Sequence, residues 1–294
     1  MMRLYLFMTI FVLVTAQIAR ASQIAVSGYV YGTWDYDTVL VVGDIRIPPD
    51  NDLTIIPGVE VLFDGPFRML VDQDAQIVAV GTPGDRIVFR PLRSGETWRG
   101  IRMELCCGLS ILDHCDFRHA VVSGIGDTAR GGAIYLDRSS LAIYHCTFDS
   151  CSAPSGGAIC CDNSSRPIIS DCIFQHNAAT LGGAIFCRDT SRPLILASSF
   201  ASNRAEFTGA AIHVEYASAT ISQNSFGNNS GNNACVTIIG PDTTMLVERN
   251  TIISDSSEAV ILINDMGPWS ALIRSNEIRD NAGVAIFAEV ASPV

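Results

Sequence analysis

The tetrapeptide Gly-Gly-Ala-Ile occurs at 131–134, 156–159 and 182–185, and a variant, Gly-Ala-Ala-Ile, occupies 209–212. Self-similarity at a near-fixed period of roughly 26 residues specifies a stacked solenoid, because each repeat is one supersecondary unit that buries its apolar face only against its neighbours. A second motif keeps the same beat. Phe148, Phe174, Phe200 and Phe226 recur at one constant interval, and the last three open Phe-x-x-Asn boxes closed by Asn177, Asn203 and Asn229.

Stacking the copies on the glycine extends the pattern to weaker starts near Trp98, Asn233, Glu258 and Gly283. The fourth position then reads Ile134, Ile159, Ile185, Ile212, Val236, Ile261 and Ile286, and two positions on stand Leu136, Cys161, Cys187, Val214, Ile238, Ile263 and Ala288. Period-two spacing of apolar columns places both on the inner face of one short strand. A second strand is marked by Leu112, Ile143, Ile169, Ile195, Ile221, Val247 and Ile273, each five positions before Phe117, Phe148, Phe174, Phe200, Phe226, Ile252 and Ile278. Five is an odd offset, so a straight strand would send one of these columns to solvent and the chain must turn a corner between them. Two positions before the aromatic stand Cys115, Cys146, Cys172, Ser198, Asn224, Asn250 and Asn276. Asparagine tolerates left-handed backbone at a corner, and stacked amides can hydrogen-bond from turn to turn. Three strands and three corners per turn describe an all-β, right-handed, single-stranded parallel β-helix with turns about 4.8 Å apart.

At these residues the chain resembles the right-handed parallel β-helix proteins of the pectate-lyase-like superfamily. More narrowly, its Gly-Gly-Ala-Ile and Phe-x-x-Asn boxes resemble the repeats of the chlamydial polymorphic outer membrane proteins, most closely over residues 131–229. That resemblance implies an adhesin-like surface passenger, which in that family is carried by a C-terminal β-barrel. Here the repeats run to Val294, so the C-terminus is expected to be incomplete or uncapped. Residues 22–97 lack the regular beat and carry strand-like runs broken by Pro48-Pro49, Pro57-Gly58 and Pro83-Gly84. They are read as an N-terminal cap with irregular first turns, and 98–294 as the repeats.

Residues 1–21 read as a signal peptide: Arg3, an apolar run Leu4 to Val14, and Ala19-Arg20-Ala21 as the cleavage signal. The run is too short to span a bilayer, for which about 20 apolar residues are needed. A secreted or cell-surface location in a bacterial exporter follows, with no transmembrane segment in the mature chain. The formal net charge of −11 argues against nucleic acid and anionic membrane as partners.

All 19 basic residues are arginine, which excludes any mechanism built on a lysine base. Hydrolysis of the polygalacturonase kind needs clustered carboxylates, and the sequence has no Asp-Asp pair. A calcium-dependent lyase with an arginine base stays open, since Asp137, Asp162, Asp189 and Glu215 recur at one corner; the competing reading is a solvated turn. His114, His145 and Asp171 occupy equivalent positions on successive turns and are either a metal-binding stack or a plain surface column. The ten cysteines fall mostly in inward or corner columns, where rung-to-rung disulfides and a ladder of thiols are both open.

No catalytic, cofactor or metal residue is assigned from the sequence, and calcium enters only with the lyase alternative. The candidate ligand platform is Tyr135, Phe186 and His213, which lie on the outward side of the first strand and would stack sugar rings unless a loop around residues 120–130 or a partner chain covers them. The expected function is a surface-displayed binding or structural module, non-catalytic, with a polysaccharide or cell-surface component as partner. The alternative is a polysaccharide lyase or glycoside hydrolase of the pectate-lyase-like type acting on an acidic polysaccharide.

Overall fold

The computed structural model describes residues 23–106, 108–124, 129–253, 255–265 and 271–290. The expected signal peptide lies outside the described residues. Among those described there is no helix, hence none long and apolar enough to cross a membrane, and every strand pairing is parallel, in sheets of 20, 10 and 4 strands. One turn shows how the sequence produces this. Ile134–Asp137 forms the first side, Ala142–Tyr144 the second and Thr147–Asp149 the third, after which Ser152–Ser155 adds a short fourth strand before the next Gly-Gly. The large apolar columns that mark the three sides do not include this fourth row: Ser152–Ser155, Ala178–Leu181, Arg204–Thr208 and Ser230–Gly231 stack as the four-stranded sheet.

The three apolar columns hold in register. Ile134 pairs with Ile159, Ile159 with Ile185 and Ile185 with Ile212; Leu112, Ile143, Ile169 and Ile195 pair in succession, as do Phe117, Phe148, Phe174 and Phe200. The phenylalanines stack at centroid separations of 4.8–4.9 Å from Phe89 to Phe226, fully or almost fully buried. Their spacing is that of the turns themselves, so each inner ring is sandwiched by the rings above and below.

The corner between the second and third sides lies one position earlier than the asparagine. His114, His145, Asp171, Ala197, Gln223, Arg249 and Ser275 carry the left-handed φ, between 47° and 61°. The next residue does a different job: Asn224 Nδ2 donates to the Ile195 carbonyl and to Asn250 Oδ1, and Asn250 repeats both bonds toward Ile221 and Asn276. A second ladder runs through Asn177, Asn203 and Asn229 at the following corner. These amides satisfy carbonyls that a corner would otherwise leave unpaired inside the solenoid. Cysteines perform the same service in the earlier turns. Cys146 Sγ points to the Leu112 carbonyl at 3.5 Å, Cys172 Sγ to Ile143 at 3.6 Å and Cys151 Sγ to Phe117 at 3.7 Å. All nine described cysteines are buried free thiols, and burial pushes Cys106 up to about 11 and Cys151 up to about 12.

The Gly-Gly pair has two separate causes. Gly156 sits at φ 65°, and a Cβ on Gly157 would come within 2.1 Å of the Gly183 carbonyl in the next turn; the first glycine serves the turn and the second the stacking distance. Residues 23–91 are threaded into the same sheets. The long strand Thr38–Ile47 pairs through its first half with Glu60–Phe63 and through its second with Met69–Val71, so it spans two sides in one run and joins them into the large sheet. Asp52–Ile55 and Gln76–Val80 lead into the second side.

A carboxylate interrupts the second ladder. Asp255 stands where the column beyond Asn229 calls for an amide, and its N–H donates to Asn281 Oδ1. Neither of its carboxylate oxygens has a hydrogen-bond partner, and the residue is buried. Burial raises it to about 6, with Cys235 and Asn229 nearby but outside bonding geometry. The native carboxyl therefore keeps its proton between about pH 4 and 6 while the unfolded one has released it, so stability falls as pH rises through that window. Asp255→Asn should remove the pH-dependent penalty, so that its gain in stability is larger by about 3 kcal/mol near pH 8 than below about pH 4. Urea midpoints at the two pH values test this; the same difference between the two proteins at both would rule it out.

Candidate functional site

The expected platform is not an exposed face. Tyr135, Phe186 and His213 do stack on the outward side of the first strands, but they are only 4%, 2% and 2% exposed. The fourth row of strands closes over them, with Leu181 packed against Tyr135, Cys160 and Phe186. The three side chains form a second, smaller core instead of a sugar platform. His213 is sealed there with neither ring nitrogen hydrogen-bonded and the Glu215 carboxylate 4.0 Å from Nε2, and burial lowers it to about 4, so it is neutral at physiological pH.

The corner carboxylates are the feature that this second core leads to. Cys161 pairs with Cys187 and Arg188 with Glu215, so the strand-end column runs Asp137, Asp162, Arg188, Glu215, and Asp189 stands one position beyond it. The interposed arginine changes the chemistry of the corner. Asp162 is fully buried, bound by Arg130 at 2.6 Å and by Arg188 Nε at 2.9 Å, and it accepts a bond from the Tyr135 hydroxyl at 3.2 Å. Burial alone would raise this carboxyl, but the two guanidiniums and the tyrosine outweigh it and hold it below the usual aspartate range. Tyr135 is in turn raised by burial and by the Asp162 charge, under the Arg102 guanidinium 4.1 Å from its ring.

Outside this buried cluster lies an open groove of about 580 Å³, lined by Arg138, Asn163, Ser164, Asp189, Thr190 and Tyr216. All six have left-handed backbone, which turns successive side chains outward along the solenoid axis. Asn163 Nδ2 donates to Asp137 at 2.8 Å, Ser164 and Thr190 hydroxyls share a 2.6 Å bond, and Arg188 reaches Asp189 at 3.0 Å. Tyr216 is 54% exposed at the groove's end. The groove's carboxylates face guanidinium and amide donors and do not converge on one point, which is not the oxygen cage calcium takes. Neither Asp162, held ionised by its arginines, nor Tyr135, held protonated, is placed to shuttle a proton near neutral pH.

Tyr216 escapes a reading of the repeats because its column carries none: the equivalent corner residues are Arg138, Asn163 and Asp189. The cover over the platform does leave a signal, since Ala153, Ala179 and Ala205 recur at the interval of the phenylalanines and pair in the fourth row. Small residues at that period mark a packed strand as surely as large ones do. His114, His145 and Asp171 share one corner column as expected, but the Asp171 carboxylate turns to the Ser170 hydroxyl at 2.6 Å.

No curated protein matches the chain. The crystal structure of an alginate lyase from Paenibacillus sp. str. FPU-7 aligns over 87% of this chain and 99% of that one, at 11% identity and a TM-score of 0.35, a likeness that says nothing of activity. Residues 97–252, more than half of the chain, match the family described as the right handed beta helix region. The columns, corners and parallel register above are what that match requires, and the chain belongs to this right-handed β-helix family.

Proposed function

We propose that the chain is an exported, surface-displayed β-helix that binds polysaccharide along the first-corner groove and does no chemistry on it. The observation that carries this reading is the groove itself: an exposed tyrosine beside amide, hydroxyl and guanidinium groups set at successive turns. The turn spacing of about 4.8 Å is close to the length of one sugar along an extended polysaccharide, so a periodic ligand would meet a periodic row of donors and acceptors. Tyr216 replaces the buried Tyr135, Phe186 and His213 as the stacking surface. The repeats' resemblance to those of chlamydial polymorphic outer membrane proteins and the apolar run Leu4 to Val14 support a surface location.

Tyr216→Ala and Arg138→Ala should each weaken retention on a polysaccharide array by about tenfold, equivalent to ~1.4 kcal/mol. Unchanged retention by both variants would overturn the groove assignment. Unsaturated products detected by ultraviolet absorbance after incubation with acidic polysaccharides, and abolished by chelator, would overturn the non-catalytic part and favour a lyase.

A further inference from the structure

The corner between the second and third sides brings together a group that neither the columns nor the groove accounts for. Asp113 ends the strand Ile111–Asp113, His114 is the left-handed corner residue that follows, and His145 is the same corner one turn on. The two imidazoles stack with centroids 4.5 Å apart and planes tilted by 22°. Their Nδ1 atoms face one carboxylate oxygen, Asp113 Oδ1, at 2.7 Å from His114 and 2.9 Å from His145. His145 makes a proper hydrogen bond to it. His114 Nδ1 does not: it is shut off from solvent and lies outside hydrogen-bond geometry despite the short distance. A buried ring nitrogen close to a carboxylate oxygen, but not aimed at it as a donor, is placed as a ligand would be.

We infer that Asp113, His114 and His145 form a site for a divalent transition-metal ion, bridging two turns of the solenoid. The three ligand atoms lie within 4.8 Å of one another. Zinc bound at about 2.0–2.1 Å by two imidazoles and a carboxylate separates its ligand atoms by roughly 3.3 Å, close to the 2.7 and 2.9 Å between the Asp113 oxygen and the two imidazoles, and closure on an ion needs one stacked ring to turn out of parallel so that both Nδ1 lone pairs meet it. The half-exposed His145 ring can make that turn. Two nitrogens and one oxygen suit zinc, nickel, cobalt or copper over calcium, which takes oxygen alone. With three protein ligands and one side open to solvent, the ion would keep a water position. The neighbouring Arg86 guanidinium is engaged by Asp116 at 2.7 Å and by the Cys115 and His145 carbonyls, which fixes the corner backbone without occupying the carboxylate of Asp113.

The following corner, after the third side, supplies an internal control. His176 Nδ1 meets Asp149 at 3.1 Å, the same pairing of histidine with the carboxylate of the previous turn but without a second imidazole stacked on it. Titration calorimetry of the whole protein with zinc and with nickel should show one site. Asp113→Asn and His145→Ala should each weaken it by more than the roughly tenfold that loss of a supporting group costs, while His176→Ala leaves it unchanged. Cobalt should give visible bands without the intense charge-transfer absorption of thiolate ligation, since the described thiols are buried inside the solenoid. Circular dichroism melts establish that the variants are folded. Absence of binding by the wild-type protein, equal binding by the Asp113 and His145 variants, or a thiolate signature would each overturn the site and leave Asp113 as a carboxylate shared by two histidines.

Discussion

Phe174→Ala is expected to be among the most destabilising single substitutions in this chain, at roughly 3–5 kcal/mol. The ring is fully buried, sandwiched at 4.9 Å by Phe148 and at 4.8 Å by Phe200 with planes within 5° and 3° of parallel. Deleting it removes both stacking contacts and leaves a cavity that cannot collapse, because the parallel ladders on all sides fix the distance between turns. A solenoid transmits such a defect only to its neighbours. Hydrogen exchange should therefore show amides of the adjacent turns opening more readily, while those of Thr38–Ile47 keep wild-type protection. Phe226→Ala should cost less, since Ile252 and not a ring follows it in the column. A loss under about 1 kcal/mol for Phe174→Ala in urea unfolding would mean that the stack relaxes, contrary to the close packing argued above.

The phenylalanine column is legible because stacking demands the same residue class at the same place in every turn, and counting along the repeat finds it. The corners are harder. Left-handed backbone tolerates His114, Ala197 and Arg249 alike once the following side chain satisfies the carbonyls, so no residue type marks the bend itself. The corner carboxylates mislead because Arg188 and Asp189 are neighbours: counted from the tetrapeptide isoleucine the strand-end column reads Asp137, Asp162, Arg188 and Glu215, and Asp189 falls one position beyond it. That single step separates a row of acids from a row interrupted by an arginine. The fate of Tyr135, Phe186 and His213 depends on a fourth strand whose sequence is mostly small and polar residues. Asp113 stays hidden for a geometric reason, since it sits in the column beside the histidines and reaches them only because the chain turns between positions 113 and 115.

Asp162→Ala should be the costliest change at the candidate site. The aspartate is the common partner of Arg130 and Arg188, whose side chains are 12% and 27% exposed, and of the Tyr135 hydroxyl. Removing it leaves two guanidiniums facing each other around a buried hole, and breaking a buried pair in this way costs roughly 3–5 kcal/mol. The partial exposure of Arg188 puts the expected value toward the lower end, because water reaches its charge. The pH dependence has the opposite sign to that of Asp255. With its folded pKa depressed, Asp162 contributes stability that is fully present above the unfolded value of about 3.9 and is lost as pH falls through the lower folded one. Wild type should consequently lose stability on acidification more steeply than Asp162→Ala, and the two denaturation curves should approach each other toward the acid limit. Curves that stay parallel across the acid range would mean that folding does not depress the carboxyl's pKa. The same substitution bears on the groove, whose wall Arg188 supports through Asp189 at 3.0 Å. Asp162→Ala should weaken polysaccharide retention even in molecules that remain folded, whereas Asp255→Asn, at a corner ladder outside the groove lining, should leave retention intact while raising stability. That pair of variants separates a fault in binding from a fault in folding.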